Sequence, residues 1–414
     1  MLCQFMVSNF RSYRDETIFD MQAANIEEFR DSLIPPPGEN FSPLLPVSVL
    51  YGPNGGGKTT LFEALSCLIS CVMAPITASK NMGNPFGMLF SGGAEPFRLD
   101  EDSAGRPTAF EIVFRTQAAQ YHYQINLAEG SIVQEALYRT KLPCKRRREV
   151  LVFEREGENI TAGSALARAN TRDVSPTIPY LSFLAINYRF SEILDAVDWF
   201  SNCCIINYSV TDSDRRFSSF LSAPHVKKGV LELLGAMDIP IADYEVQETT
   251  DSEGKPIRQV ETIHRIGGKD YRLNMRDESD GTCKILSMLP AVLTTLTKGG
   301  LLLADELDSK LHPQLLRFLL ELYTDPEVNA ARAQLVFTCQ DISIMKNDVL
   351  RRDEIWFAAR DEQSVSRLWS LYELRDEKGA PVKSTAAYDK QYLAGRYGAD
   401  PYLRRMLNWR AEDG

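Results

Sequence analysis

Histidine is scarce in this chain, four in all, and the eight cysteines are scattered, with no C-x-x-C pair beside partner histidines. That composition argues against a zinc site and for reduced thiols. No apolar run approaches the ~18 uninterrupted residues that a membrane-spanning helix needs. The longest candidate, residues 61–76, contains Glu63. The N-terminus carries Arg11 and Arg14 but no apolar core of signal-peptide type. The expectation is therefore a cytoplasmic protein without a membrane partner. Positive charge is not in excess either. A net charge of −10 argues against a general nucleic-acid coat, though not against a local basic groove. Internal repeats and long low-complexity tracts are missing too. What remains is ordinary globular composition, 44% hydrophobic and 25% charged, in a chain long enough for one large domain or about two to three smaller ones.

Against that plain background one stretch stands out, Tyr51-Gly52-Pro53-Asn54-Gly55-Gly56-Gly57-Lys58-Thr59-Thr60. It reads G-x-x-x-x-G-K-[ST], preceded by the apolar run Val47-Ser48-Val49-Leu50 and followed by a helical pattern from Leu61 to about Ile69. That strand, loop and helix context is what a phosphate-binding loop requires. The glycines let backbone N–H groups turn inward around a polyphosphate, with the helix N-terminus aimed at the same anion. The pattern predicts that Gly52, Asn54, Gly55, Gly56, Gly57 and Thr60 cradle the nucleotide. Lys58 reaches its β- and γ-phosphates, and the Thr59 hydroxyl ligates Mg²⁺. Arg11, at the end of the first strand, either touches the same phosphates or forms a structural ion pair.

Taken in order, Cys3–Val7 and Glu16–Met21 read as a first hairpin, and residues 28–46, rich in proline, as a loop. Residues 81–96 read as another loop. Strands follow from Ala109 to Tyr138, with Glu129-Gly130 a turn, and Val150–Phe153 with Asn159–Thr161 forms one more hairpin around Gly157. Lys145-Arg146-Arg147-Arg148 is the densest basic cluster, more simply a solvated turn than a DNA contact. Residues 176–236 turn helical, with apolar spacing at 193–200 and 230–234. Strand-like alternation returns from Asp243 to Leu273, around Gly254 and Gly267-Gly268. Ile355–Phe357 and Leu368–Leu371 read as strands in the tail, and residues 392–409 as helical beyond Pro401.

The second half of the site is Gly300-Leu301-Leu302-Leu303-Ala304-Asp305-Glu306, an apolar strand ending in two carboxylates. Asp305 is placed to hold Mg²⁺ and Glu306 to polarise an attacking water as general base. Between the halves, Ser279-Asp280-Gly281 opens a helical pattern over residues 283–296, with a kink expected at Pro290.

The order of phosphate loop, Ser-x-Gly turn, Asp305-Glu306 and Leu307-Asp308 resembles an ABC-type ATPase head. The resemblance implies that Ser279 and Gly281 of one subunit face the γ-phosphate bound on the other, and that Asp308 lies at the dimer contact. Within that superfamily, Asn9-Phe10-Arg11-Ser12 and the insertion of more than two hundred residues between Thr60 and Ser279 resemble the SMC, RecF and OLD-like branch. Met1–Ser12, Asp305–Pro313 and Gly395-Arg396-Tyr397-Gly398 are similar to stand-alone AAA-family ATPases of bacterial abortive-infection and anti-phage systems. One position departs from the pattern. Relatives show Thr-His-Asp after the next strand, where this chain has Cys339-Gln340-Asp341, so the γ-phosphate contact falls to the neutral Gln340.

The resemblance implies an α/β ABC-ATPase head, a P-loop NTPase core with an antiparallel β subdomain and a helical insertion. The expected division is an ATPase lobe at 1–140, an inserted hairpin and helical subdomain at 141–270, a second ATPase lobe at 271–360 and a tail at 361–414. The implied activity is hydrolysis of ATP with Mg²⁺ by a homodimer that closes on ATP and controls a separate effector, such as a Toprim-type nuclease, in phage defence. The alternatives are a RecF-like DNA-repair ATPase that binds DNA, and a transporter's nucleotide-binding subunit.

Overall fold

The computed structural model describes residues 1–79, 93–144, 146–207, 221, 224–250, 256–376 and 378–399. The expected loop at 81–96 therefore lies mostly outside the described residues, as do Lys145, Gly254 and the expected terminal helix from Pro401 onward.

Three sheets organise the described residues. The first has seven antiparallel strands in the order β2-β1-β4-β5-β6-β7-β8: β1 (Leu2–Ser8), β2 (Thr17–Asp20), β4 (Thr108–Arg115), β5 (Ala119–Ala128), β6 (Ser131–Lys141), β7 (Val150–Glu156) and β8 (Asn159–Ala162). The second has six strands in the order β16-β15-β3-β14-β13-β9. These are β3 (Val47–Tyr51), β9 (Cys203–Asn207), β13 (Leu301–Asp305), β14 (Gln334–Thr338), β15 (Ile355–Arg360) and β16 (Ser366–Ser370). All run parallel except the edge strand β16. The third is a small antiparallel sheet of β10 (Asp243–Thr250), β11 (Pro256–Ile266) and β12 (Lys269–Asn274).

The parallel sheet is buried on both faces, and its period-two alternation sorts side chains between two cores. Leu301 and Leu303 face one core, together with Trp356; Leu302 and Ala304 face the other, together with Phe357. The first core is shared with the seven-stranded sheet and with α1 (Lys58–Ser79), α2 (Tyr180–Asn187) and α3 (Ser191–Ser201). The second holds α4 (Pro224–Ala236), α5 (Asp280–Lys298) and α6 (Pro313–Thr324). A last short helix, α7 (Tyr388–Leu393), contributes Tyr388 to that second core.

The α/β fold is a P-loop NTPase core with an antiparallel β layer and inserted helices. Helix α1 takes in the whole apolar run 61–76, as the sequence leads one to expect, with Val72, Met73 and Ile76 carrying its buried face past Ile69. By length and composition α1 could cross a membrane, but most of it is buried in this core. Helix α5 continues through Pro290. The span 141–270 reaches every sheet: β7 and β8 join the first, β9 the second, and β10, β11 and the first two residues of β12 belong to the third. Strand β9 interrupts a stretch whose spacing predicts helices.

Two buried charges fix α2 against the antiparallel layer. Glu135 on β6 accepts hydrogen bonds from Tyr180 N and Leu181 N at the N-terminus of α2, at 2.6 and 3.0 Å, and from the Tyr123 hydroxyl at 2.9 Å. The orphan N–H groups of a helix start are thereby satisfied by an acidic group, the favourable sign there. Arg155 on β7 donates to the carbonyls of Gly157, Ser175 and Ile178 at 2.9–3.0 Å.

Candidate active site: a phosphate loop at the carboxyl edge of the parallel sheet

Four adjacent parallel strands, β15, β3, β14 and β13, end on one edge of the sheet. In open α/β sheets the loops leaving that edge form the ligand crevice. Residues 53–60 line a cleft there with Asp305, Glu306, Thr338, Gln340 and Arg360. The structure thus brings together both halves of the site that the sequence separates by more than two hundred residues.

The loop's backbone explains its glycines. A Cβ on Gly52 or Gly56 would collide with the Ala358 carbonyl oxygen on β15. Gly57, at φ +115°, has Ser366 Oγ and the Tyr13 hydroxyl against it. Gly55, at φ +76°, faces open space. Tyr13 donates to the Gly57 carbonyl at 3.2 Å, and Ser12 is hydrogen-bonded to Ser366 through both side chain and backbone, each at 2.8 Å. Asn9 donates to the carbonyls of Ser103, Arg106 and Pro107 and accepts from Phe97 N. The Asn9–Tyr13 turn is therefore a brace beneath the phosphate loop.

Lys58 is buried and donates to the loop carbonyls of Gly52 and Pro53 at 2.6 and 3.1 Å. Burial lowers its pKa, against the opposing pull of Asp305, Glu306 and Asp308. Thr59 is exposed at the start of α1. Asp305 is buried, and its Oδ1 accepts from the Thr338 hydroxyl at 2.6 Å. The same hydroxyl oxygen accepts from Glu306 N at 2.7 Å. Glu306 is exposed and held at φ +52°, the left-handed region that non-glycine residues seldom occupy outside constrained sites.

Lys284, on α5, donates to Glu306 O at 2.7 Å, to Ser309 O at 2.8 Å and to Ser309 Oγ at 2.7 Å. Asp308 Oδ2 accepts from Gln340 N and Asp341 N at 2.9 and 2.8 Å. Asp308 thereby holds the Gln340 loop within its own chain.

Gly52, Ser279, Gly281, Asp308 and Arg11 do not line this cleft. Ser279 caps α5, accepting from Thr282 N at 3.2 Å. A Cβ on Gly281 would sit 2.9 Å from Lys310 O, so glycine permits the close approach of α5 to the loop after β13. Lys310 and Asp280 pair at 2.8 Å across the same contact. Of the two readings of Arg11, the structure displays the ion pair: its guanidinium meets Glu63 on α1 and lies 3.7 Å from Glu95. Sequence reasoning overlooked Thr338, Lys284 and Arg360.

The cleft fits a Mg²⁺–nucleotide. Thr59 and Asp305 are hard oxygen donors of the kind Mg²⁺ takes, and the ion normally keeps phosphate oxygens and waters for its remaining positions. No cluster of three or more His, Cys, Asp or Glu capable of an all-protein metal cage occurs among the described residues.

Among solved structures, this chain is similar to an SMC head bound to the C-winged helix domain of ScpA, at 13% identity and a TM-score of 0.43, covering 91% of this chain and 98% of that one. It is also similar to the SMC head domain from Thermotoga maritima, at 14% identity and a TM-score of 0.39, covering 89% of this chain and 98% of that one. No curated protein matches it in sequence. A family model described as "AAA domain, putative AbiEii toxin, Type IV TA system" matches residues 47–346, from the first residue of β3 to beyond the Gln340 loop. The chain belongs to that AAA-domain family.

Proposed function

We propose that this protein binds and hydrolyses ATP in the cytoplasm, closes into a homodimer around two nucleotides, and thereby controls a separate effector protein in phage defence. The observation that carries the reading is a division within the chain. The phosphate loop, Asp305, Glu306 and Gln340 share one cleft, while the Ser279–Gly281 helix start lies outside it. A helix N-terminus with a capping serine is a ready anion site, and a second subunit would bring it to the phosphates.

Thr59 and Asp305 would hold Mg²⁺, which when bound neutralises charge on the phosphates. Lys58 would bind and orient the triphosphate in place of the loop carbonyls that its ammonium now meets. Glu306 would take the proton of the attacking water, with its backbone fixed on one side by Thr338 and on the other by Lys284. Gln340 would donate one hydrogen bond to the γ-phosphate without adding charge. The family's toxin–antitoxin description supports an output delivered with a partner.

A second reading, a RecF-like ATPase that retains DNA, draws on one observation. Arg139, Lys141, Arg146 and Arg148 line a basic cleft at the end of β6. Salt-sensitive, ATP-dependent DNA retention would favour it.

The test uses Glu306→Gln, which keeps nucleotide bound while removing the base. Light scattering after size exclusion should show a dimer with ATP and a monomer without. Lys58→Ala should lose ATP affinity by calorimetry. Mass unchanged by ATP in Glu306→Gln, with no crosslink between cysteines placed near Ser279 and Gly55, would refute the shared-site mechanism. Unchanged ATP affinity in Lys58→Ala would refute the nucleotide site itself.

A further inference from the structure

We propose that Arg360 is a phosphate-contacting residue of the nucleotide site, and that it supplies from its own chain the positive charge that Gln340 does not. The proposal rests on the ATPase reading above and assigns a role to a residue that no motif covers.

Its position follows from topology. Strand β15 pairs with β3 up to Phe357 opposite Tyr51, then runs on through Ala358 and Ala359 to Arg360 beside the phosphate loop. Gly52 and Gly56 lie so close to the Ala358 carbonyl that no side chain fits between them. The strand carrying the arginine and the loop are therefore in direct backbone contact. The far side is fixed as well. Arg360 pairs in register with Ser366 on β16, and Ser366 is bonded to Ser12, whose neighbour Tyr13 holds Gly57.

Its chemistry is unspent. Arg360 is exposed and lines the cleft, and its side chain makes no hydrogen bond or ion pair among the described residues. The adjacent carboxylate is committed elsewhere: Asp361 accepts from Gln363 N, Val365 N and Arg367 Nε at 2.9, 3.0 and 3.0 Å. Asp15 is likewise taken, by Arg14 and Arg367. A guanidinium with free donors suits the bidentate geometry of phosphate oxygens better than any other side chain. The cleft's charges are otherwise Lys58 against Asp305 and Glu306, too little positive charge for a triphosphate even with a divalent ion.

The experiment measures affinities for ATP, ADP and AMP by calorimetry with Mg²⁺, and steady-state phosphate release. The proteins are wild type, Arg360→Ala, Arg360→Lys, Lys58→Ala and the double variant Arg360→Ala with Gln340→His. Because Arg360 is exposed, its variants should melt like wild type. Arg360→Ala should weaken ATP by about ten- to a hundredfold, with the loss smaller for ADP and least for AMP. Lysine should recover part of it, and Gln340→His should recover turnover in the alanine background. The proposal is overturned if Arg360→Ala stays within about twofold of wild type, the scatter of an inert surface change, while Lys58→Ala loses ATP. Failure of wild type to bind ATP would instead sink the nucleotide reading, and this proposal with it.

Discussion

Lys284 is the residue on which two motifs meet. It stands on the buried stripe of α5 that continues through Met288, Val292 and Thr295, and burial pushes its pKa down to about 8. Its ammonium nonetheless holds three oxygens of the turn that follows β13. Lys284→Met would leave those acceptors without their charged donor, a loss of about 2 kcal/mol. We expect lower melting stability, faster amide exchange across residues 306–309 and slower phosphate release, with ATP affinity nearly unchanged. Lys284→Arg should recover part of the rate. Equal turnover in Lys284→Met and wild type would mean that the turn holds its shape unaided. A lysine on an otherwise apolar helical stripe was a readable signal that motif-reading passed over. Thr338 carried no such mark: a threonine ending a buried strand looks like any other until the neighbouring strand places Asp305 beside it.

At the scale of elements, β15 starts from a buried acid and ends in an exposed base. Glu354, just ahead of it, is fully buried, with Oε2 accepting from Arg351 N at 2.9 Å and its carbonyl accepting from Val49 N at 2.8 Å. Burial, and then the nearby Asp353, push its pKa from 4.5 up to about 8. Between those values the folded chain keeps a proton that the unfolded chain has released. The contribution to stability is therefore complete below about pH 4.5, declines as pH rises, and is gone above about pH 8. Glu354→Gln cannot ionise, so its stability relative to wild type should rise from about pH 5 to about pH 8 in urea titrations. A constant difference across that range would show that Glu354 is already ionised in the fold. Most strands were legible because alternation and turn residues mark antiparallel pairs, as for β4, β5 and the β7–β8 hairpin. Strand β9 was not. Cys203-Cys204-Ile205-Ile206 is buried on both faces, so it shows no alternation, and a short apolar run beside helical spacing reads as more helix.

For the whole molecule, the sequence displayed the parts of the nucleotide site but not their meeting place. Distances along the chain say nothing of strand order, and it is the order β15-β3-β14-β13 that gathers the loop, both carboxylates, Gln340 and Arg360 on one edge. The proposed assembly has a direct test at this scale. Ser279 lies outside its own cleft, so Ser279→Arg should bind ATP like wild type yet stay monomeric with ATP when combined with Glu306→Gln. Dimer formation by that double variant would place the contact elsewhere.

The small sheet acquires a role from one carboxylate. Glu278, the residue just ahead of Ser279, accepts hydrogen bonds from Thr262 and from His264 on β11, the latter at 2.7 Å. Beyond that anchor β12 is exposed along most of its length, with Ile266, Tyr271 and Leu273 facing outward nearby. Besides packing into the second core through Tyr244 and Val260, the sheet thus has a polar tie to the start of α5, Glu278. A load applied to it arrives, one peptide bond later, at the serine that caps α5.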